Sequence, residues 1–201
     1  MQEPKTRRGQ ERRDAIVAAA AVLMYERGVR ATSLAEVLDA AGAGKSQLYH
    51  YFSSKDELAA AVLKYHLTQV LGQQQQFRLE TWSGLRSWFE ALLAGQESRD
   101  FNGCPLGSLA IEMAATSDEL RAGVADAFLQ WHMSLEKAFE DMRSRGVLRE
   151  NAVPAELAEM TLAAIQGGYL LSTAQQDVKP MVQSLKLALG HLRSWRPKTA
   201  P

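Results

Sequence analysis

A single cysteine, Cys104, occurs in 201 residues. An internal disulfide is therefore excluded, the fold must rest on its own core, and a reducing, cytoplasmic setting is the expectation. Net charge is equally absent: 23 Lys and Arg balance 23 Asp and Glu. That argues against indiscriminate coating of nucleic acid by a uniformly basic surface. There is no Pro/Gly-rich linker among the six prolines and 14 glycines, so the boundary between halves, near residue 66, falls within or at the end of a helix. Long hydrophobic runs are missing too. The nearest imitation of a signal-peptide core, Ala15 to Met24, is flanked by Asp14 and Glu26, lacks a small-residue cleavage site, and reads as a buried helix. Nothing is long enough to span a bilayer, so no membrane partner is expected. Repeats and strand-like alternation of useful length are also lacking, while a 46% hydrophobic content suffices for a core.

What is present begins with residues 33 to 58. Ser33 with Glu36, and Ser54 with Glu57, each set a hydroxyl at a helix start and a carboxylate three residues later, which can satisfy orphan backbone N–H groups reciprocally. Leu34, Val37, Leu38 and Ala41 form an inward stripe, and Gly42 and Gly44 permit a sharp turn before Lys45. Two short helices around a glycine turn, followed at once by a third, have the layout of a helix-turn-helix DNA reader.

At roughly 100° per residue, Leu48 inward keeps Tyr51 and Phe52 near the inner face and turns Ser46 and His50 away, with Gln47 and Tyr49 on the flanks. Donors, acceptors and one aromatic with little apolar bulk suit groove edges and phosphates, although a merely solvated face has the same character. Gln47 is the expected base reader, since an amide can bond adenine N6 and N7 together. Thr32, Lys45, Tyr49 and Lys55 are the expected phosphate anchors. Residues 1–13 add five basic side chains against two acidic ones, a basic arm suited to phosphate or minor-groove contact.

Gly42 through Leu58, with Leu48, Tyr49, Phe52, Lys55 and Leu58, resembles the DNA-binding domain of the TetR/AcrR family of bacterial transcriptional regulators. Two departures are visible: Gly44 stands where that family often has a serine cap, and Gln47 where a small residue is frequent. Glycine at an N-cap costs only a few tenths of a kcal/mol against serine. The resemblance implies an all-α protein. An N-terminal three-helix helix-turn-helix domain (1–54) would join a C-terminal helical effector-binding and dimerization domain (55–201). It also implies double-stranded DNA and a small-molecule effector as partners, and pairing of two copies through the last two helices. No cofactor or metal is expected.

Beyond the reader, helical stripes recur: Leu85, Trp88, Phe89, Leu92 and Leu93; then Leu109, Ile111, Met113 and Ala114; then a long helix from about Asp118 to a stop at Gly146. Pro154 and Pro180 suit the first turns of the last two helices. Their seams, Leu157, Met160, Thr161, Ala164, Gly168 and Leu171 with Val182, Leu185, Leu189 and Leu192, bury internally or pair with a second copy. Trp88, Phe101, Cys104, Met113, Phe128, Trp131, His132, Gln166 and Tyr169 combine aromatic surface with interleaved polar groups. They are core packing or the lining of an effector pocket.

Gly103 through Ala110 resembles a segment found in a subset of TetR-like repressors, some of which use a cysteine in this region to sense electrophiles or oxidants, and the carry-over is to Cys104 alone. A thiol ahead of a short helix can be activated, but a buried cysteine is an ordinary small hydrophobe. A thiol enzyme pairing Cys104 with His132 is the rival from another class, and no orienting motif accompanies it.

Overall fold

The computed structural model describes residues 6–197, which form nine α-helices and no strand among them. These are α1 (Arg7–Arg27), α2 (Leu34–Ala41), α3 (Lys45–Tyr51), α4 (Lys55–Gln74), α5 (Trp82–Ser98), α6 (Gly107–Ala114), α7 (Asp118–Ser144), α8 (Pro154–Gln175) and α9 (Lys179–Ser194). Among the described residues no helix is long and apolar enough to cross a membrane. The basic arm lies partly outside this range, at Met1 to Lys5.

By packing, the chain divides into two compact units: Met1–Gln69 with Pro105–Ala127, and Val70–Cys104 with Phe128–Pro201. The sequence division at 54/55 is one of function along the chain. Packing instead gathers most of α4 and all of α6 with the reader helices.

In the first unit, local chemistry sets each helix end. Thr6 Oγ1 accepts the Gly9 N–H at 3.1 Å, which starts α1 at Arg7. Gly28, at φ 87°, closes α1 by donating to Met24 O. Ser33 and Glu36 make the expected capping box, and Gly42 ends α2 in the left-handed region at φ 58°. At α4 the Ser54 hydroxyl accepts the Glu57 N–H at 3.1 Å, while the Glu57 carboxylate reaches one residue further back than expected and accepts from Ser53 at 2.7 Å. Ile16, Ala20, Met24, Val37, Leu48, Phe52, Leu58, Val62, Leu109 and Met113 build the core. Burying each large side chain contributes about 1.5–3 kcal/mol before the entropy of ordering it. Ile111 departs from its expected stripe: it is 76% exposed because α6 buries only the face of Leu109, Ala110 and Met113.

In the second unit α8 and α9 form the most extensive helix pair. Gly168 allows it, since a Cβ there would stand 3.2 Å from the Met181 backbone. Ser172 Oγ accepts the Met181 N–H at 3.1 Å and Ser184 Oγ donates to Ala164 O at 2.6 Å, so the pair is tied by hydrogen bonds as well as packing. Gln74, the last residue of α4, is buried: Trp131 Nε1 donates to its Oε1 at 2.8 Å and its Nε2 donates to Ser134 Oγ at 2.7 Å. Those two bonds extend α4 to Gln74. Outside the α8–α9 seam, Leu170 and Leu171 on α8 and Val182 and Leu187 on α9 remain exposed.

Candidate nucleic-acid interface

α3 is seven residues long and stands on a buried base of Leu48, Tyr51 and Phe52. Arg13 lies over the Phe52 ring at 5.3 Å, which joins α1 to that base. Fixing these three positions inward leaves Lys45, Ser46, Gln47, Tyr49 and His50 exposed, as the helical angle requires. Tyr49 is 51% exposed, and the His50 ring meets Tyr51 edge-on at 5.0 Å. The face is therefore buried at its root and exposed at its tips.

Gly44 offers no side chain to cap α3, and Gln47 supplies a bond in return: its Oε1 accepts the Gly44 N–H at 3.1 Å. The Gln47 amide nitrogen stays available to a partner. Arg12 Nη1 donates to Gly42 O at 3.4 Å, so α1 also holds the turn between α2 and α3. Lys55 Nζ donates to Arg30 O at 3.1 Å, which places its ammonium beside the α1–α2 connection. Thr32 departs from the expected anchor role: it is 1% exposed, and its hydroxyl donates inward to Gly28 O at 2.8 Å to close that connection.

Two carboxylates nearby are committed to the backbone. The Ser33 hydroxyl, the Ser33 N–H and Arg27, at 2.8 Å, hold Glu36 below the ordinary carboxylate value. Glu57 is likewise lowered, chiefly by the Ser53 N–H. Their charge supports the helix starts of α2 and α4.

The residues expected around an effector belong to more than one place. Met113 is fully buried in the first unit, whereas Trp88, Phe101, Cys104, Phe128, Trp131, His132, Gln166 and Tyr169 belong to the second. There, Gln166 Nε2 lies 3.6 Å from Cys104 Sγ, Arg99 Nη2 donates to the Tyr169 hydroxyl at 3.4 Å, and Phe128 stacks on Trp131 at 6.4 Å. Trp88 packs beside Phe89. Phe101 sits in a left-handed pair with Asp100, φ 58° and 51°. His132 Nε2 is 3.0 Å from Ala155 O and its Nδ1 faces Glu136 at 3.7 Å, so its near neighbours are not Cys104.

Sequence reasoning missed Gln96. Fully buried, it accepts the Gly103 N–H at 3.2 Å and donates to Thr173 at 3.2 Å, fixing the loop before Cys104. Glu112 was missed as well: its carboxylate accepts the Val29 N–H at 2.8 Å and the Arg30 N–H at 2.5 Å in the α1–α2 connection, and no local pattern marks it. An open groove of about 1080 Å³ beside the α7–α8 turn is lined by Arg143, Leu148, Arg149 and Asn151, none of the expected effector residues.

Comparison with known proteins agrees with this geometry. Residues 16–62 match the family described as bacterial regulatory proteins, tetR family, and residues 82–186 match the transcriptional regulator LmrA/YxaF-like C-terminal domain. The chain is 29% identical over 182 residues to the HTH-type transcriptional regulator YxaF of Bacillus subtilis, covering 88% of this chain and 92% of that protein. It is 26% identical over 175 residues to the HTH-type transcriptional repressor DhaR of Mycobacterium sp., covering 85% and 86%. In fold it resembles a TetR-family regulator from Cytophaga hutchinsonii, with TM-score 0.82, 19% identity and 98% and 100% of the two chains covered. The regulatory protein TetR from Rhodobacter sphaeroides gives 0.78, 23%, 89% and 97%.

Proposed function

Because the chain belongs to the TetR family of bacterial transcriptional regulators, we propose that it acts in the cytoplasm as a homodimeric repressor. It would bind a palindromic operator and leave it when a small molecule occupies the C-terminal region. The observation that carries this reading is the α3 face. Lys45, Ser46, Gln47, Tyr49 and His50 are exposed together on a helix whose opposite side is buried at Leu48, Tyr51 and Phe52. Such a helix can enter a major groove with its polar tips toward base edges and phosphates.

One such helix covers only a half-site, so twofold pairing is needed to read two half-sites about 34–36 Å apart. The exposed Leu170, Leu171, Val182 and Leu187 support pairing through α8 and α9, and Gly167 and Gly190 leave open space for close helix approach. Release requires only that the effector prefer the DNA-incompetent arrangement, where roughly 1–3 kcal/mol of coupling changes affinity about 5- to 150-fold. Cys104 is 3% exposed and receives the Gln166 amide, which favours a packing role for the thiol over a sensing or nucleophilic one. The reading proposed is thus of a binding protein without catalysis.

Selection of bound fragments from genomic DNA tests the proposal. A palindrome whose half-site centres lie one helical turn apart is the expected result. Failure to prefer any duplex over scrambled competitor at low salt overturns it.

A further inference from the structure

Two arginines at the α7–α8 turn carry charge that no acidic side chain meets. Arg143 and Arg149 both line the open groove of about 1080 Å³, together with Glu150 and Asn151. Arg143 Nη1 donates to Ala152 O at 3.1 Å. Arg149 is held more firmly: its backbone N–H donates to Trp195 O at 2.8 Å, its Nη2 to Ser194 O at 2.9 Å, and its guanidinium lies over the Trp195 ring at 4.6 Å. Its Nε is buried without an acceptor. Among the described residues neither guanidinium forms an ion pair, whereas Arg145, between them in the chain, lies 3.8 Å from Glu80.

The turn itself keeps this space open. Gly146 leaves α7 in the left-handed region at φ 69°, its N–H donating to Arg143 O at 3.0 Å, and the Val147 N–H donates to Met142 O at 2.8 Å. A Cβ at Gly146 would have no atom within 4 Å. Arg143 is exposed and Arg149 partly so. A guanidinium has five N–H donors, and each side chain here spends one of them on a backbone carbonyl, which is a partial charge only. The remaining donors suit a carboxylate or a phosphate, whose oxygens match the guanidinium fork. Glu150, exposed on the same groove, repels a second negative group and can accept from a hydroxyl, and the Asn151 amide can accept or donate.

The geometry points to this groove as a binding site for a small hydroxylated oxyanion, a phosphate ester or a hydroxy acid. Its charged head is held by Arg143 and Arg149, and its hydroxyls meet Glu150 and Asn151. The volume suits a metabolite rather than a single ion. The site lies wholly within the second unit, contains none of the residues expected around an effector, and does not depend on the operator-binding reading.

The test titrates glycerol 3-phosphate, glycerate and glycerol into the full-length protein without DNA, at constant ionic strength, while NMR follows the arginine Nε–H signals. Glycerol 3-phosphate or glycerate should shift the Arg143 and Arg149 signals to saturation at roughly millimolar concentration, and glycerol should not. The tighter of the two identifies the head group as phosphate or carboxylate. Arg143→Gln should weaken that ligand about tenfold. Glu150→Gln should tighten it roughly 2- to 5-fold by removing a like charge, an effect that a purely structural role for the turn would not produce. Arg143→Lys keeps the charge and a donor for Ala152 O, and replaces Arg143→Gln if that variant melts early, with a loss of about threefold. Shifts that never saturate, equal shifts with glycerol, an affinity unchanged in the Arg143 variant, or weaker binding in Glu150→Gln would overturn the inference.

Discussion

The Gln47 side-chain oxygen accepts the Gly44 N–H at 3.1 Å, so the residue proposed to read a base also closes the start of its own helix. The two duties share one amide. With Oε1 held by the Gly44 N–H, Nε2 and the second lone pair of Oε1 stay available. In the proposed complex, reading and capping would thereby be coupled.

Gln47→Ala should therefore do two things. It should cost about 0.5–1 kcal/mol of stability through the lost cap, and relax preference at one base pair per half-site by roughly 1–3 kcal/mol. Gln47→Glu keeps the acceptor for Gly44 and should preserve stability while losing the amide donor. Thermal melts and repeated fragment selection separate the two effects. Equal losses on cognate and random duplex for Gln47→Ala would exclude base reading.

Lys55 likewise serves two partners, the Arg30 carbonyl and, in the proposed complex, a phosphate. Lys55→Gln retains a donor for Arg30 O but no charge. It should weaken all duplexes alike and lower the salt-dependence slope by about one. Lys55→Ala should add a loss of stability in the first unit. Titrations at several salt concentrations measure the slope.

His66 is buried on α4 beside Tyr25 and Tyr65, its Nε2 without a hydrogen-bond partner. Burial holds its pKa below the ordinary 6.5, partly opposed by a bond to the Ala21 backbone. The neutral ring is thus the folded form. The stability it contributes is complete above pH 6.5 and is lost as pH falls from there through the lower folded value. Melting temperature should decline over that window, and His66→Gln, which cannot protonate, should flatten the decline.

Leu170→Glu and Leu187→Glu test pairing through α8 and α9, where these side chains are 64% and 72% exposed. Each protomer should keep its stability to within about 0.5 kcal/mol. Sedimentation should show monomers, and full-site affinity should drop roughly 100-fold or more as the second contact ceases to be intramolecular.

The sequence by itself determined the helices and the outward side of the reader. Ser33 and Glu36, Gly42, Gly146, Pro154 and Pro180 act on backbone groups a few residues away, and the angular spacing from Leu48 to Phe52 decides which tips face out. Tertiary structure decided the rest: that Met113 joins the reader's core, that Gln74 is buried under Trp131, that Ile111 stays exposed, and that Glu112 grips Val29 and Arg30. A cap is a local bond and leaves a local pattern. A hydrogen bond between residues sixty or eighty apart leaves none, because its partners meet only when packing has brought their helices together.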